Sequence, residues 1–176
     1  MAGSDVQAVF ITADTNAVDA ASVAAAARPN TDFTIDGTDT DGGVATFAAG
    51  RIITCTTTGT GDNGKTVTLT GTDVNGDSQT EVITLTGSAT AHAGSKYFKT
   101  ITAASASAQP AANVSIGMAA GSADVIFAGR SRLKGAYIVN SGTAGTLDFL
   151  TTSPTGTSVM KLGTVASATV TRDVHI

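Results

Sequence analysis

Residues 65–87 read KTVTLTGTDVNGDSQTEVITLTG, and their alternation decides the fold class. Val67 and Leu69 fall on one side of an extended chain and Thr66, Thr68 and Thr70 on the other, the period-two pattern of a half-buried strand. Asn75-Gly76 marks the bend, because these residue types tolerate the positive φ that tight hairpin turns require. Val82 and Leu85 belong to the returning strand, and Ile83 between them suggests a bulge or burial on both faces. The stretch is a β-hairpin.

Composition extends that reading to the whole chain. Of 176 residues, 31 are Thr, 30 Ala and 20 Gly, aromatics make up 5%, and there is no Trp. Thr is at home on pleated, half-exposed surfaces and mediocre in helices, so Thr in excess with many Gly turns indicates an all-β protein. Small side chains also mean less apolar burial per residue than in an average domain. Charge is sparse, with a net −4 and a single glutamate, Glu81, among 14 acids. That surface lacks the basic footprint of a nucleic-acid-binding protein. No apolar run is long enough for a membrane-spanning helix, and the first residues carry no basic n-region of a signal peptide, so neither a membrane nor a secretory route is expected. One cysteine, Cys55, allows no internal disulfide.

Along the chain, NAVDAASVAAAARP (16–29) is rich in good helix formers between a capping Asn16 and a terminating Pro29, which predicts one short N-terminal helix. TDFTID (31–36), VATFAAGRIITCTTT (44–58), KYFKTITAASASA (96–108) and ANVSIGM (112–118) are strand candidates. The fold class that follows is an all-β, sandwich or jelly-roll-like domain over 1–118. A small-residue segment, MAAGSAD (118–124), leads to a second, small β domain over 119–176 with five short strand candidates. Its last strand carries Val170, Val174 and Ile176 against Thr171, Asp173 and His175. An apolar strand in so small a domain is expected to pair with a neighbouring chain or with the first domain.

GTGDNGKT (59–66) matches the phosphate-loop pattern G-x-x-x-x-G-K-[ST] letter for letter. Such a loop works because backbone N–H groups at a helix N-terminus surround the phosphates. Here Lys65 is followed by strand-like TVTLTGTD, so the match reads as a hairpin loop and Lys65→Ala as a nearly silent change. Asp36, Asp39 and Asp41 in DGTDTDGG miss the calcium-loop register, since Gly37 would stand first and Ala48 twelfth; a looser ion site there remains open beside an acidic turn. Cys55 and His92 are a conceivable nucleophile and base, yet Cys55 sits mid-strand among threonines, where a small buried thiol is the commoner explanation. Glu81 with any Asp would make a carboxylate pair, but no spacing selects one. No catalytic residue, metal ligand or cofactor is therefore assigned. Arg130, Arg132 and Lys134 in GRSRLKG share one face if that stretch is a strand, as an acid-binding patch or a solvated edge. Tyr97, Phe98 and Tyr137 are better explained by packing than as a sugar-stacking platform.

TVTLTGTDVNGDSQTEVITLTG (66–87) followed by SKYFKTITAASAS (95–107) resembles a module common among structural proteins of tailed bacteriophages. DVQAVFITAD (5–14) and RLKGAYIVNSGTAGTLDFLTTSPTGTSVMKL (132–162) also look like segments of such virion proteins. The resemblance covers most of the chain and carries over no site. It implies a capsid decoration (cement) protein that binds the head surface, and hence the major capsid protein, as a homo-oligomer, with a trimer favoured. Val170, Val174, Ile176, Arg130, Arg132 and Lys134 are its candidate interface residues. A tail, neck or fibre component is the alternative, and a carbohydrate-binding adhesin module a third.

Overall fold

The computed structural model describes residues 19–118, 133–139, 144–151, 157–166 and 169–173. The chain divides into two compact units, Met1–Ala128 and Gly129–Ile176. Among the described residues all regular structure is strand.

In the first unit, β1 (Ala24–Ala27), β2 (Thr40–Asp41), β3 (Val44–Thr57), β4 (Thr66–Thr72), β5 (Ser78–Thr84), β6 (Ala91–Ala106) and β7 (Val114–Met118) form one antiparallel sheet. Its strand order is β1-β7-β3-β6-β4-β5, with β2 paired to the start of β3. The hairpin at 65–87 is β4 and β5, in register from Thr66↔Thr84 to Thr72↔Ser78. Its connection is a turn closed by Gly76 N–H donating to Asp73 O (3.1 Å) and Asp73 N–H to Asp77 O (2.9 Å). Gly76 takes φ 88°, the left-handed position that follows a type I turn in a three-residue hairpin loop. The Asp73 carboxylate accepts the N–H groups of Asn75 and Asp77 and fixes the bend.

One face of this sheet carries the core. Val67, Leu69, Ile83, Leu85, Phe98, Ile101, Ile53, Cys55, Val114 and Ile116 are all buried in one cluster. The β5 pairing is regular, with no bulge at Ile83: Glu81, Ile83 and Leu85 point inward while Val82 is 59% exposed. Ile83 therefore replaces Val82 as the core residue of the returning strand. Irregularity lies in the β3–β6 ladder, between Thr46 and Arg51, where the register on β6 advances only from Thr100 to Phe98, and again between Ile52 and Thr54, where it skips from Tyr97 to Ala93. Residues 100–106 of β6 pair with β4, and residues 91–101 pair with β3.

The expected N-terminal helix is not what the described part of that segment forms. Asn16, Ala17 and Val18 lie outside the described residues, but Asp19–Val23 is a turn and Ala24–Ala27 is strand β1 on β7. Val23 donates its N–H to Ile116 O (2.9 Å) and is fully buried with Ala24. A lone alanine-rich helix of about a dozen residues is marginal in water, and tertiary pairing overrides its local propensity. The segment at 31–36 likewise runs extended with one bridge, Asp32↔Ser105, rather than as a strand; Phe33 still lands in the core.

The second unit holds β8 (Gly135–Val139), β9 (Gly145–Leu150), β10 (Ser158–Thr164) and β11 (Thr169–Asp173), paired as two antiparallel ribbons, β9–β10 and β8–β11. Its strands correspond to four of the five sequence candidates; the fifth, DVIFAG (124–129), lies outside the described residues.

Phe98 is fully buried in β6, opposite Arg51 of β3, so Phe98→Ala is expected to cost about 3–5 kcal/mol by leaving a cavity. Exposed Val82→Thr should stay within about 0.5 kcal/mol. Denaturant midpoints for the two variants check both values.

Candidate functional site

The phosphate-loop match resolves into a structural knot. Asp62 is fully buried between Gly61 and Asn63. Its carboxylate accepts from Lys65 Nζ (3.0 Å), Thr57 Oγ1 (3.1 Å) and the Ala111 N–H (2.5 Å). Lys65 Nζ also donates to Gln109 O (2.9 Å). The glycines that complete the pattern have packing reasons: a Cβ on Gly59 or Gly61 would strike the side chains of Ala112 and Ala111, and Gly64 takes φ 77°. Lys65 leads directly into β4, so no helix N-terminus follows the loop. The expectation that Lys65→Ala is silent is thereby corrected, because the ammonium neutralises a carboxylate held out of water.

Burial alone would push the Asp62 carboxyl up, but the hydrogen bonds from Ala111, Lys65, Thr57 and Ala112 outweigh it and hold it below its usual value. A carboxyl depressed in the folded state adds stability above the unfolded-state value and loses it as pH falls through the folded-state value.

The acidic turn has a similar local task. Asp36 Oδ1 accepts the Ala25 N–H (2.9 Å), while Gly37 N–H and Asp39 N–H donate to Val23 O and Ser22 O (both 3.0 Å). The 36–39 turn thus blocks the outer edge of β1, the kind of open edge that invites pairing with another chain. Among the described residues no group of three or more His, Cys, Asp or Glu side chains is arranged to hold a metal ion.

Cys55 and His92 are brought together, though not as a catalytic pair is. Strand β6 begins at Ala91, five residues before the expected start, so His92 lies in the strand directly opposite Cys55. Both are buried. Burial, with the charge of Glu81 added, pushes the Cys55 thiol up to about 12, which leaves it protonated at neutral pH and not a nucleophile. Tyr97 and Phe98 alternate to opposite faces of β6 and form no shared platform; Phe98 is core.

Sequence reasoning weighed Glu81 only as a catalytic acid, and its position shows a different use. Past the last β4 pair at Thr100, Gly94–Lys96 of β6 fall in the register shift opposite β3, and β5 meets this segment through side chains. Glu81 Oε1 accepts the N–H groups of Ser95 (2.5 Å) and Lys96 (3.1 Å) and the Ser95 hydroxyl (2.9 Å). Gln79 Nε2 donates to Tyr97 O, and Lys96 Nζ donates to Thr80 O (2.6 Å). Gly94 leaves the room, because a Cβ there would lie 2.3 Å from Glu81 Oε2. The legible signal was the inward parity of 81, 83 and 85, which puts a carboxylate in line with two core residues.

Of the candidate interface residues, Lys134 is exposed just before β8. Val170 lies in β11 opposite Ile138, and Arg130, Arg132, Val174 and Ile176 lie outside the described residues. The second unit offers a signal that sequence reading missed. Tyr137 (68%), Leu147 (39%), Val159 (65%) and Val165 (61%) are exposed, and Leu162 is buried. On the ribbon β9–β10, Leu147 stands opposite Leu162, and Lys161 pairs with Asp148 (3.2 Å) on the other face. Compared with protein-family models, curated protein sequences and solved structures, the chain matches none.

Two outcomes follow. Glu81→Ala removes the charged acceptor of two backbone N–H groups and should cost about 1–3 kcal/mol, with Gly94→Ala destabilising in the same direction, as read from urea midpoints. Asp62→Asn should flatten the loss of stability between about pH 4 and lower pH that the parent chain shows; parallel pH profiles of unfolding free energy for the two proteins would refute it.

Proposed function

We propose that this chain is a structural component of a tailed-phage virion, a capsid decoration protein that binds the outer head surface as a homo-oligomer, a trimer in the simplest arrangement. The assignment to a virion rests on the sequence resemblance. The structural observation that supports the assembly role is the second unit, where Tyr137, Leu147, Val159 and Val165 are exposed. Two-stranded ribbons are marginal by themselves and become stable when an apolar face is covered. Exposed aromatic and aliphatic side chains on such ribbons suit a partner surface better than open water.

The first unit supports the same role as a passive scaffold. Its core is continuous, its β1 edge is blocked by the Asp36 turn, and its β5 edge is tied to β6 by side chains. We take its curled sheet, with β5 brought over the first half of β6, as the sandwich-like body of a particle component. In this reading the second unit supplies the contacts between copies or to the major capsid protein, and Lys134 with Val170 and its neighbours borders them.

Native mass spectrometry of the chain and immunogold labelling of particles test this together. A trimer and label spread over the head agree with decoration. A higher ring with label at the neck or tail moves the chain to the alternative component class, and a monomer with no labelled particle overturns the proposal. Replacing Tyr137 and Val159 together by Ser should lower the native mass to that of one chain while the thermal midpoint of the first unit stays in place. An unchanged oligomer would show that these side chains are not the contact.

A further inference from the structure

The sequence contains two Asn-Gly pairs, Asn63-Gly64 and Asn75-Gly76, and the fold treats them differently. We propose that Asn75 is a site of spontaneous deamidation in the folded protein and that Asn63 is shielded from the same chemistry. The proposal is independent of the assembly role.

The reaction needs no partner but water. The backbone nitrogen of the following glycine attacks Cγ of the asparagine, forming a C–N bond and closing a five-membered succinimide. The bond from Cγ to Nδ2 breaks, and ammonia departs with the proton given up by the glycine amide. Water then opens the ring at either carbonyl, giving aspartate or isoaspartate, with no change in oxidation state. Glycine favours the attack because it has no Cβ to crowd the nitrogen. The nitrogen must, however, first be released from any hydrogen bond it makes.

At the hairpin tip that release is local. Asn75 and Gly76 are exposed, and Gly76 N–H donates to Asp73 O (3.1 Å), a bond inside the turn itself. It lies beyond the last rung of the β4–β5 ladder, Thr72↔Ser78, so opening it leaves every ladder bond in place. Space around Gly76 is free as well, with no atom within 4 Å of a Cβ position. Loop tips of this kind open at little cost, whereas segments anchored in the core open only with it.

Asn63 is also exposed, yet its glycine is anchored. Gly64 N–H donates to Leu85 O (3.0 Å), Leu85 N–H to Lys65 O (2.9 Å) and Lys65 N–H to Asp62 O (3.1 Å). Leu85 is 1% exposed and Asp62 fully buried. Freeing Gly64 therefore means loosening the far end of the hairpin and the Asp62 knot together. The product at Asn75 would add one negative charge between Asp73 and Asp77, and the isoaspartyl form would lengthen the turn backbone by one methylene.

Trypsin separates the two sites, because cleavage after Arg51, Lys65 and Lys96 places Asn63 in the peptide 52–65 and Asn75 in 66–96. The full-length protein is incubated at mildly alkaline pH, folded and in denaturant, and each peptide is followed by mass and by chromatographic separation of aspartyl and isoaspartyl forms. In denaturant the two sites should convert at similar rates. In the folded protein Asn63 should slow at least about tenfold relative to Asn75, and Asp73→Ala, which frees the turn, should speed Asn75 alone. Equal folded-state rates, a faster Asn63, or an Asn75 that remains amide while the denatured chain converts would each overturn the proposal.

Discussion

The first unit depends on how one long strand is shared. Strand β6 pairs with β4 through residues 100–106 and with β3 through residues 91–101, and where its ladder with β3 skips from Tyr97 to Ala93 the N–H groups of Ser95 and Lys96 turn to Glu81 of β5. Backbone donors that leave a ladder need another acceptor, and the chain's single glutamate supplies it. Glu81 can do so because it shares the inward parity of Ile83 and Leu85 and because Gly94 leaves space for its carboxylate. The core cluster lies on the face of the sheet that this bridge closes.

The same device recurs wherever the sheet would end. A turn carboxylate, Asp36, and the backbone of Gly37 and Asp39 cover β1, and a buried carboxylate, Asp62, ties the loop after β3 to the chain before β7. The proposed association contacts therefore lie in the second unit, where Tyr137, Leu147 and Val159 are exposed.

Alternation made the β4–β5 hairpin legible, because Val67 and Leu69 against four threonines leave one face to bury. Where the pattern was ambiguous, packing decided: Ile83 rather than Val82 faces inward because the ladder continues without a bulge. The alanine-rich segment misled because helix propensity is local, while its strand depends on β7, about ninety residues away in sequence. The strand that follows the phosphate-loop letters marked them as a loop, but not the hairpin loop expected, because β6 lies between β3 and β4. The burial of Asp62 was not legible, since nothing near it in sequence announces Ala111 as a partner. Glu81 was visible as an oddity, but its partners Ser95 and Lys96 depend on a register shift in β6 that no residue pattern marks.

The central claim is a division of labour, a self-sufficient first unit and a second unit completed by association. Hydrogen exchange of the whole chain, compared between dilute and assembled protein, tests it most directly. Amides of β3, β4, β6 and β7 should be equally protected in both states, and those of β8 to β11 should gain protection on assembly. Equal protection of β8 to β11 in both states, or a gain confined to the first unit, would contradict the account.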